Sequence, residues 1–173
     1  MRYFLCLLLL ACAAFVHARD DNGYNTYYIE SEKDKPWEEI PLPLPPYPDQ
    51  NASWLPIYIS NTFSGKTLLM TNSIRTPADD TVHYVLNVQS NQGIDNITAE
   101  AVRCGERAAK TLAYGDDVNH RWIVPKRGHW QTVSTVLRDI DPVRAALYTI
   151  FCVDGIPKNS EEWQERLQKR ASR

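Results

Sequence analysis

Thr81-Val82-His83-Tyr84-Val85-Leu86-Asn87-Val88-Gln89 is the stretch on which the reading of the fold turns. Successive side chains of a strand point to opposite faces, so Val82, Tyr84, Leu86 and Val88 share one face. His83, Asn87 and Gln89 share the other, interrupted only by Val85. The pattern predicts a half-buried antiparallel strand with a polar outer face. Ser90-Asn91-Gln92-Gly93 is turn chemistry, and Asn96 to Cys104 supplies the returning strand. Lys110 to Tyr114 adds another, ending at Gly115-Asp116-Asp117, and the three read as a meander.

Upstream, Trp54 to Ile59 collects β-branched and aromatic residues, and Thr67 to Met70 is a short apolar run bounded by Ser64-Gly65 and Asn72-Ser73. Downstream, Arg121 to Val124 and the region around Trp130 are weaker strand candidates, separated by Pro125-Lys126-Arg127-Gly128. The helices come last. Asp141 is placed to cap, Pro142 suits the first helical position, and Val143, Ala146, Leu147, Ile150 and Phe151 make an apolar face as far as Cys152. Asp154-Gly155-Ile156-Pro157 stops that helix. Asn159 with Glu162 resembles a capping box for a final helix, Ser160 to about Lys169, with Trp163 and Leu167 on one side. The expected class is α+β: an antiparallel sheet of about five strands packed by two C-terminal helices, preceded by an extended Pro-rich arm.

That arm is Lys35 to Pro48, where Pro36, Pro41, Pro43, Pro45, Pro46 and Pro48 fix φ and remove backbone donors. It is expected to run extended, either as a recognition arm for a partner or as a cover over its own domain, with Trp37 and the leucines as anchors. Residues 19 to 34 are polar with scattered tyrosines and read as a leader. Before them, Met1-Arg2 gives a positive start and Tyr3 to Val16 is free of charge, too short for a span of about twenty apolar residues. With Val16-His17-Ala18 behind it, the run reads as an export signal cleaved after Ala18. The alternative is lipidation at Cys12, following Leu9-Leu10-Ala11. The expected organisation is therefore signal 1–18, leader and arm 19–48, and a single domain 49–173.

Lysine and arginine total 19 against 21 aspartate and glutamate, with a formal net charge of −2. No basic run exceeds two residues, so neither nucleic acid nor an anionic membrane surface is favoured as partner. With the signal removed, the cysteines are Cys104 and Cys152, an even pair. In an oxidising compartment such a pair reads as a structural bridge, tying a central strand to the first helix, and two buried free thiols are the other reading.

Several phrases carry a resemblance. Lys35-Pro36-Trp37-Glu38-Glu39, His83 to Ser90, Asp95 to Cys104, Lys110 to Gly115, and Ala146-Leu147-Tyr148 leading to Phe151-Cys152-Val153-Asp154-Gly155-Ile156-Pro157 are similar to the CNP-one-like family. The resemblance spans nearly the whole mature chain. It implies an exported or lipid-anchored envelope protein of Gram-negative, mainly β-proteobacterial, cells. It implies no reaction, and so supplies no catalytic residue.

The residues themselves offer little chemistry. There is no G-x-S-x-G or S-x-x-K nucleophile phrase and no H-E-x-x-H zinc spacing. Asp116, Asp117 and His120 are the nearest approach to a metal cluster, and read as a solvated turn. Glu38 and Glu39 are adjacent on an extended arm, point to opposite sides, and read as solvated. No catalytic residue, metal ligand or cofactor is assigned. Trp37, Trp54, Tyr58, His83, Tyr84, Tyr114, Trp122 and Trp130 are the candidate binding residues, because aromatics beside strands can line a groove. The same residues serve equally as core and rim, and His83 is read as exposed on the polar strand face. The favoured reading is a non-enzymatic periplasmic or envelope module that binds an envelope component or protein partner through its sheet face or its arm. The alternatives are an enzyme acting on an envelope polymer, with His83, Asp116, Asp117 and His120 as its candidates, and a small-ligand carrier.

Overall fold

The computed structural model describes residues 35–133 and 140–172. The expected signal, its cleavage point, Cys12 and the leader over 19–34 lie outside the described residues. Met1–Trp37 and Glu38–Arg173 are separate compact units. Trp37 belongs to the first, and every strand and helix described below belongs to the second.

Seven strands form one antiparallel sheet: β1 (Trp54–Ile57), β2 (Lys66–Arg75), β3 (Thr81–Gln89), β4 (Ile97–Arg103), β5 (Ala108–Asp116), β6 (Arg121–Ile123) and β7 (Gln131–Thr132). The first six lie side by side in chain order, and β7 pairs with the near end of β5. Two helices follow, α1 (Pro142–Cys152) and α2 (Ser160–Arg170). The α+β class holds, and the two short strands beyond the expected five, β6 and β7, fall at the weaker candidates Arg121 to Val124 and the region around Trp130.

The β2 strand runs past the apparent turn at Asn72-Ser73. Its register against β3 shifts between Met70 and Arg75. Ser73 fills the gap, its hydroxyl donating to the Met70 carbonyl at 2.6 Å and accepting from the Val85 N–H at 2.8 Å. A side chain thus satisfies the backbone groups that a bulge leaves over.

Register places Leu55 and Ile57 of β1, Leu69 of β2, Val82, Tyr84 and Leu86 of β3, and Val102 of β4 on the face the helices cover. Val143, Leu147, Ile150 and Phe151 of α1 and Leu167 of α2 complete that core. Phe151 sits between Tyr84 at 5.0 Å and Trp163 at 5.6 Å, ring centre to ring centre. Each fully buried Val, Leu, Ile or Phe is worth roughly 1.5–3 kcal/mol, so this layer dominates stability.

Helix α1 begins as its sequence dictates, with the Asp141 carboxylate accepting from the Arg144 N–H at 3.1 Å and Pro142 opening the first turn. It has no basic residue in its last turn. Helix α2 supplies the charge instead: Arg170 donates to the carbonyls of Thr149 and Val153 at 2.8 and 3.0 Å, and Arg166 to those of Phe151 and Gly155. Cations at a helix C-terminus satisfy orphan carbonyls and oppose the macrodipole. Asn159 caps α2 at 2.9 Å to the Glu162 N–H, and the Glu162 carboxylate takes the Asn159 side-chain amide and the Lys158 N–H. Cys104 and Cys152 form a disulfide with Cα atoms 5.2 Å apart, fixing α1 to the end of β4.

The second face of the sheet departs from expectation. His83 is 8% exposed and Val85 fully buried, where a polar, solvated face was expected. The reason is the chain before β1. Residues 38–48 carry neither helix nor strand, and Leu44 packs with Trp54, Leu112 and Trp122 onto Met70, Val85, Ala99 and Ala113. Val85 is therefore the centre of a second apolar layer, and the strand pattern is that of a sheet covered on both sides.

Candidate functional site

The Pro-rich segment is held to this second face by polar contacts placed along its length. At its start, Glu39 accepts from Lys110 of β5 at 2.8 Å through both carboxylate oxygens and from the Trp130 indole N–H at 3.1 Å. Lys110 also lies 5.7 Å from the centre of the Trp130 ring. The Ile40 N–H donates to Asp79 at 2.8 Å, and Asp79 also takes the hydroxyl and N–H of Thr81. Glu38 is exposed while Glu39 is half-buried, so the two do point apart, but Glu39 is an anchored anion and not a solvated one.

Further along, the Trp122 indole N–H donates to the Pro45 carbonyl at 2.7 Å. Tyr47 lies against Trp122 at 5.1 Å and edge-on to His120 at 5.8 Å, and its hydroxyl reaches Asp117 at 3.5 Å. Burial first, and the Asp117 carboxylate second, push the Tyr47 phenol above its ordinary range. Gly115 makes room for this ring, since a Cβ there would come within 3.0 Å of the Tyr47 hydroxyl and of the Ile97 carbonyl. An indole donor on a proline carbonyl in an aromatic-lined groove is a way to hold extended Pro-rich chain, which has no internal hydrogen bonds of its own. Exposure alternates along the segment: Pro41 and Pro43 face outward while Leu42 and Leu44 face the sheet.

Below residues 42–46 lies a cavity of about 230 Å³ whose walls include Ser73, Arg75, His83, Ala99 and Leu112. The His83 Nε2 is buried without a hydrogen-bond partner among the described residues. Burial lowers the His83 pKa below its ordinary value, against the pull of Asp79 and Glu39, so the ring is neutral at physiological pH. An orphaned buried polar atom costs roughly 1–3 kcal/mol, and so marks this cavity out. A larger hollow of about 870 Å³ lies by Tyr58, Phe63, Ala145 and Ala146 on the helix side. The Thr67 Oγ1 is a second buried atom without a partner among the described residues.

The aromatic candidates do not share one groove. Trp54, His83, Trp122 and Trp130 serve the arm-covered face. Tyr84 is in the helix-side core, donating its hydroxyl to Glu100 at 3.1 Å. Tyr58 and Tyr114 are exposed, Tyr58 donating to Asn61 at 2.7 Å. Asp116 serves its own turn, accepting from Asn119 at 2.8 Å and Arg121 at 2.9 Å, which hold its carboxyl below the usual range. Among the described residues, no hydrogen bond or ion pair joins His83 to Asp116, Asp117 or His120, and no group of three His, Cys, Asp or Glu could hold a metal ion.

The strongest polar feature was missed by sequence reasoning. Glu100 of β4 is 1% exposed and accepts from Arg144 of α1 twice, at 2.7 and 3.1 Å, from Tyr84, and from Thr98 at 3.0 Å. Arg144 also donates to Asp141 at 2.8 Å. Burial opposes the Arg144 charge, but Glu100 and Asp141 outweigh it and hold the guanidinium above its ordinary range. The available signal was a carboxylate in the otherwise apolar run Ile97-Thr98-Ala99-Glu100-Ala101-Val102. Both carboxylate oxygens are taken, so the pair locks helix to sheet.

Comparison with known proteins adds a family. Residues 32–168 match the model of the CNP1-like family. The chain is 32% identical over 172 residues to Cryptic neisserial protein 1 of Neisseria gonorrhoeae, covering 90% of this chain and 85% of that protein. No solved structure matches. No helix of the described residues is long and apolar enough to cross a membrane. The family model covers both cysteines, the Pro-rich segment and every strand described above, and the chain belongs to the CNP1-like family.

Proposed function

We propose that this chain is an exported envelope protein that works by binding, and that its contact surface is the sheet face carrying the Pro-rich segment. The observation that carries the reading is the seat of that segment: the Pro45 carbonyl fixed by the Trp122 indole at 2.7 Å, with the Tyr47 ring tilted against that indole and Pro41 and Pro43 turned outward. Ordering a Pro-rich chain on a rigid sheet removes in advance the entropy that a partner would otherwise have to overcome. Export is supported by the apolar amino-terminal run and by the Cys104–Cys152 disulfide, a bond that persists in oxidising compartments. The partner is an envelope component, and the location is the periplasm, with lipid anchoring at Cys12 as the variant of the same reading.

The test is fractionation of the full chain produced in a Gram-negative host, followed by recovery of partners with and without residues 19–48. The reading expects an oxidised protein released by osmotic shock, beginning at Arg19, and partners that are lost with the arm. A reduced protein retained in the cytoplasm, or partners indifferent to the arm, overturns it.

A further inference from the structure

Arg75 and His83 are cross-strand partners on the arm-covered face, and both line the cavity beneath residues 42–46. Arg75 commits Nη1 to the carbonyls of Asn72 and Ile74, both at 3.0 Å. Arg75 is exposed, and among the described residues no hydrogen bond from its Nε or Nη2 is made to protein, whereas the His83 Nε2 is buried and unpartnered. The other polar groups here are occupied. Ser73 bridges the β2 bulge, Asp79 takes three donors from Ile40 and Thr81, and Glu39 is matched to Lys110 and Trp130. Tyr84 and Glu100 also border the cavity, but both Glu100 oxygens are taken by Arg144, Tyr84 and Thr98, and the rest of the wall is apolar, with Leu42, Leu44, Ala99 and Leu112.

We propose that this cavity is a binding site for a small carboxylate with a short aliphatic tail, its oxygens between the Arg75 guanidinium and the His83 Nε2–H and its tail against the leucines. A guanidinium fork matches a carboxylate bidentately, and a neutral imidazole can donate from Nε2. At about 230 Å³ the cavity is below the usual range for drug-sized ligands and several times the volume of one water. The inference deepens the arm-face reading and rests on the arm being seated, since residues 42–46 form its roof.

The experiment is a histidine side-chain nitrogen–proton NMR titration of the oxidised mature chain with acetate, butyrate and hexanoate. Butanol and butylammonium at matched ionic strength serve as controls. Butyrate is expected to shift the His83 resonances saturably, and acetate more weakly, while butanol and butylammonium leave them in place. Arg75→Gln should weaken the apparent affinity by about tenfold, equivalent to about 1.4 kcal/mol. Arg75→Lys keeps the charge and should retain part of the affinity, and Leu44→Phe, which fills the cavity, should abolish the response with Arg75 intact. No saturable shift, the response expected if the cavity holds only water, overturns the proposal, as does an equal response to all solutes or an unaltered response in Leu44→Phe. Carboxylate binding that persists while partner recovery ignores the arm would sink the partner reading and leave this site standing.

Discussion

Replacing Arg144 by methionine should be among the most damaging single changes in this molecule. Glu100 is 1% exposed and receives four donors, two of them from Arg144. The methionine fills the volume but leaves a carboxylate facing only the hydroxyls of Tyr84 and Thr98. Removing one partner of a buried ion pair costs about 3–5 kcal/mol because the other charge is left uncompensated. The Arg144 side chain is 31% exposed, so water reaches part of the site, and the low end, about 3 kcal/mol, applies here. For a chain of this size that is a fall of about 10 °C in Tm. The double variant Glu100→Met with Arg144→Met removes both charges and should recover most of the loss, since an apolar replacement of a buried pair is often neutral. Urea denaturation of the oxidised protein, read as midpoint and slope, measures both. A single variant within about 1 kcal/mol of the parent, or a double variant no better than the single, would refute the view that the buried Glu100 charge depends on Arg144 for its compensation.

Three further outcomes are expected. Replacing Cys104 and Cys152 together by serine opens a bridge spanning 48 residues and should cost about 4 kcal/mol in the chain-entropy account, read by the same denaturation with and without reductant. Trp122→Phe removes the donor to Pro45, costing about 1 kcal/mol overall, but its clearer sign is faster amide exchange at Leu42, Leu44 and Tyr47 with helix α1 unchanged. Burial lowers the His83 pKa in the folded chain while the unfolded chain titrates near its ordinary value of about 6.5, so below that pH the unfolded state binds the extra proton. Stability should therefore fall as pH drops from about 7.5 toward 5.5, and His83→Gln should flatten that slope relative to the parent.

How much of the fold was legible depended on whether a residue's partner was near in sequence. The caps at Asp141 and Asn159 are local, set by side chains three residues from the donors they satisfy, and α1 and α2 begin where those residues say. The meander was legible from the alternation in β3 and the turns around it. The length of β2 was not, because Asn72-Ser73 carries turn chemistry and only the Val85 N–H, twelve residues on, reveals Ser73 as the bridge of a bulge. His83 and Val85 looked exposed and anomalous for one shared reason: their cover is a segment some forty residues upstream, with no periodicity of its own. Likewise Glu100 announced that it needed a cation, but Arg144 lies 44 residues away on an apolar helix face. The arm-face site combines both problems, being built from β2, β3, β5 and a proline-rich segment.

The most direct test of the arm face as the contact surface is site-specific photo-cross-linking in envelope preparations. A cross-linking residue at Pro43, on the outward side of the arm, is compared with one at Gln168, on the exposed side of α2. The arm-face account predicts a discrete adduct from position 43 that is absent from position 168 and is lost in Trp122→Phe. Adducts from position 168 alone, or from both positions equally and regardless of Trp122, would contradict it.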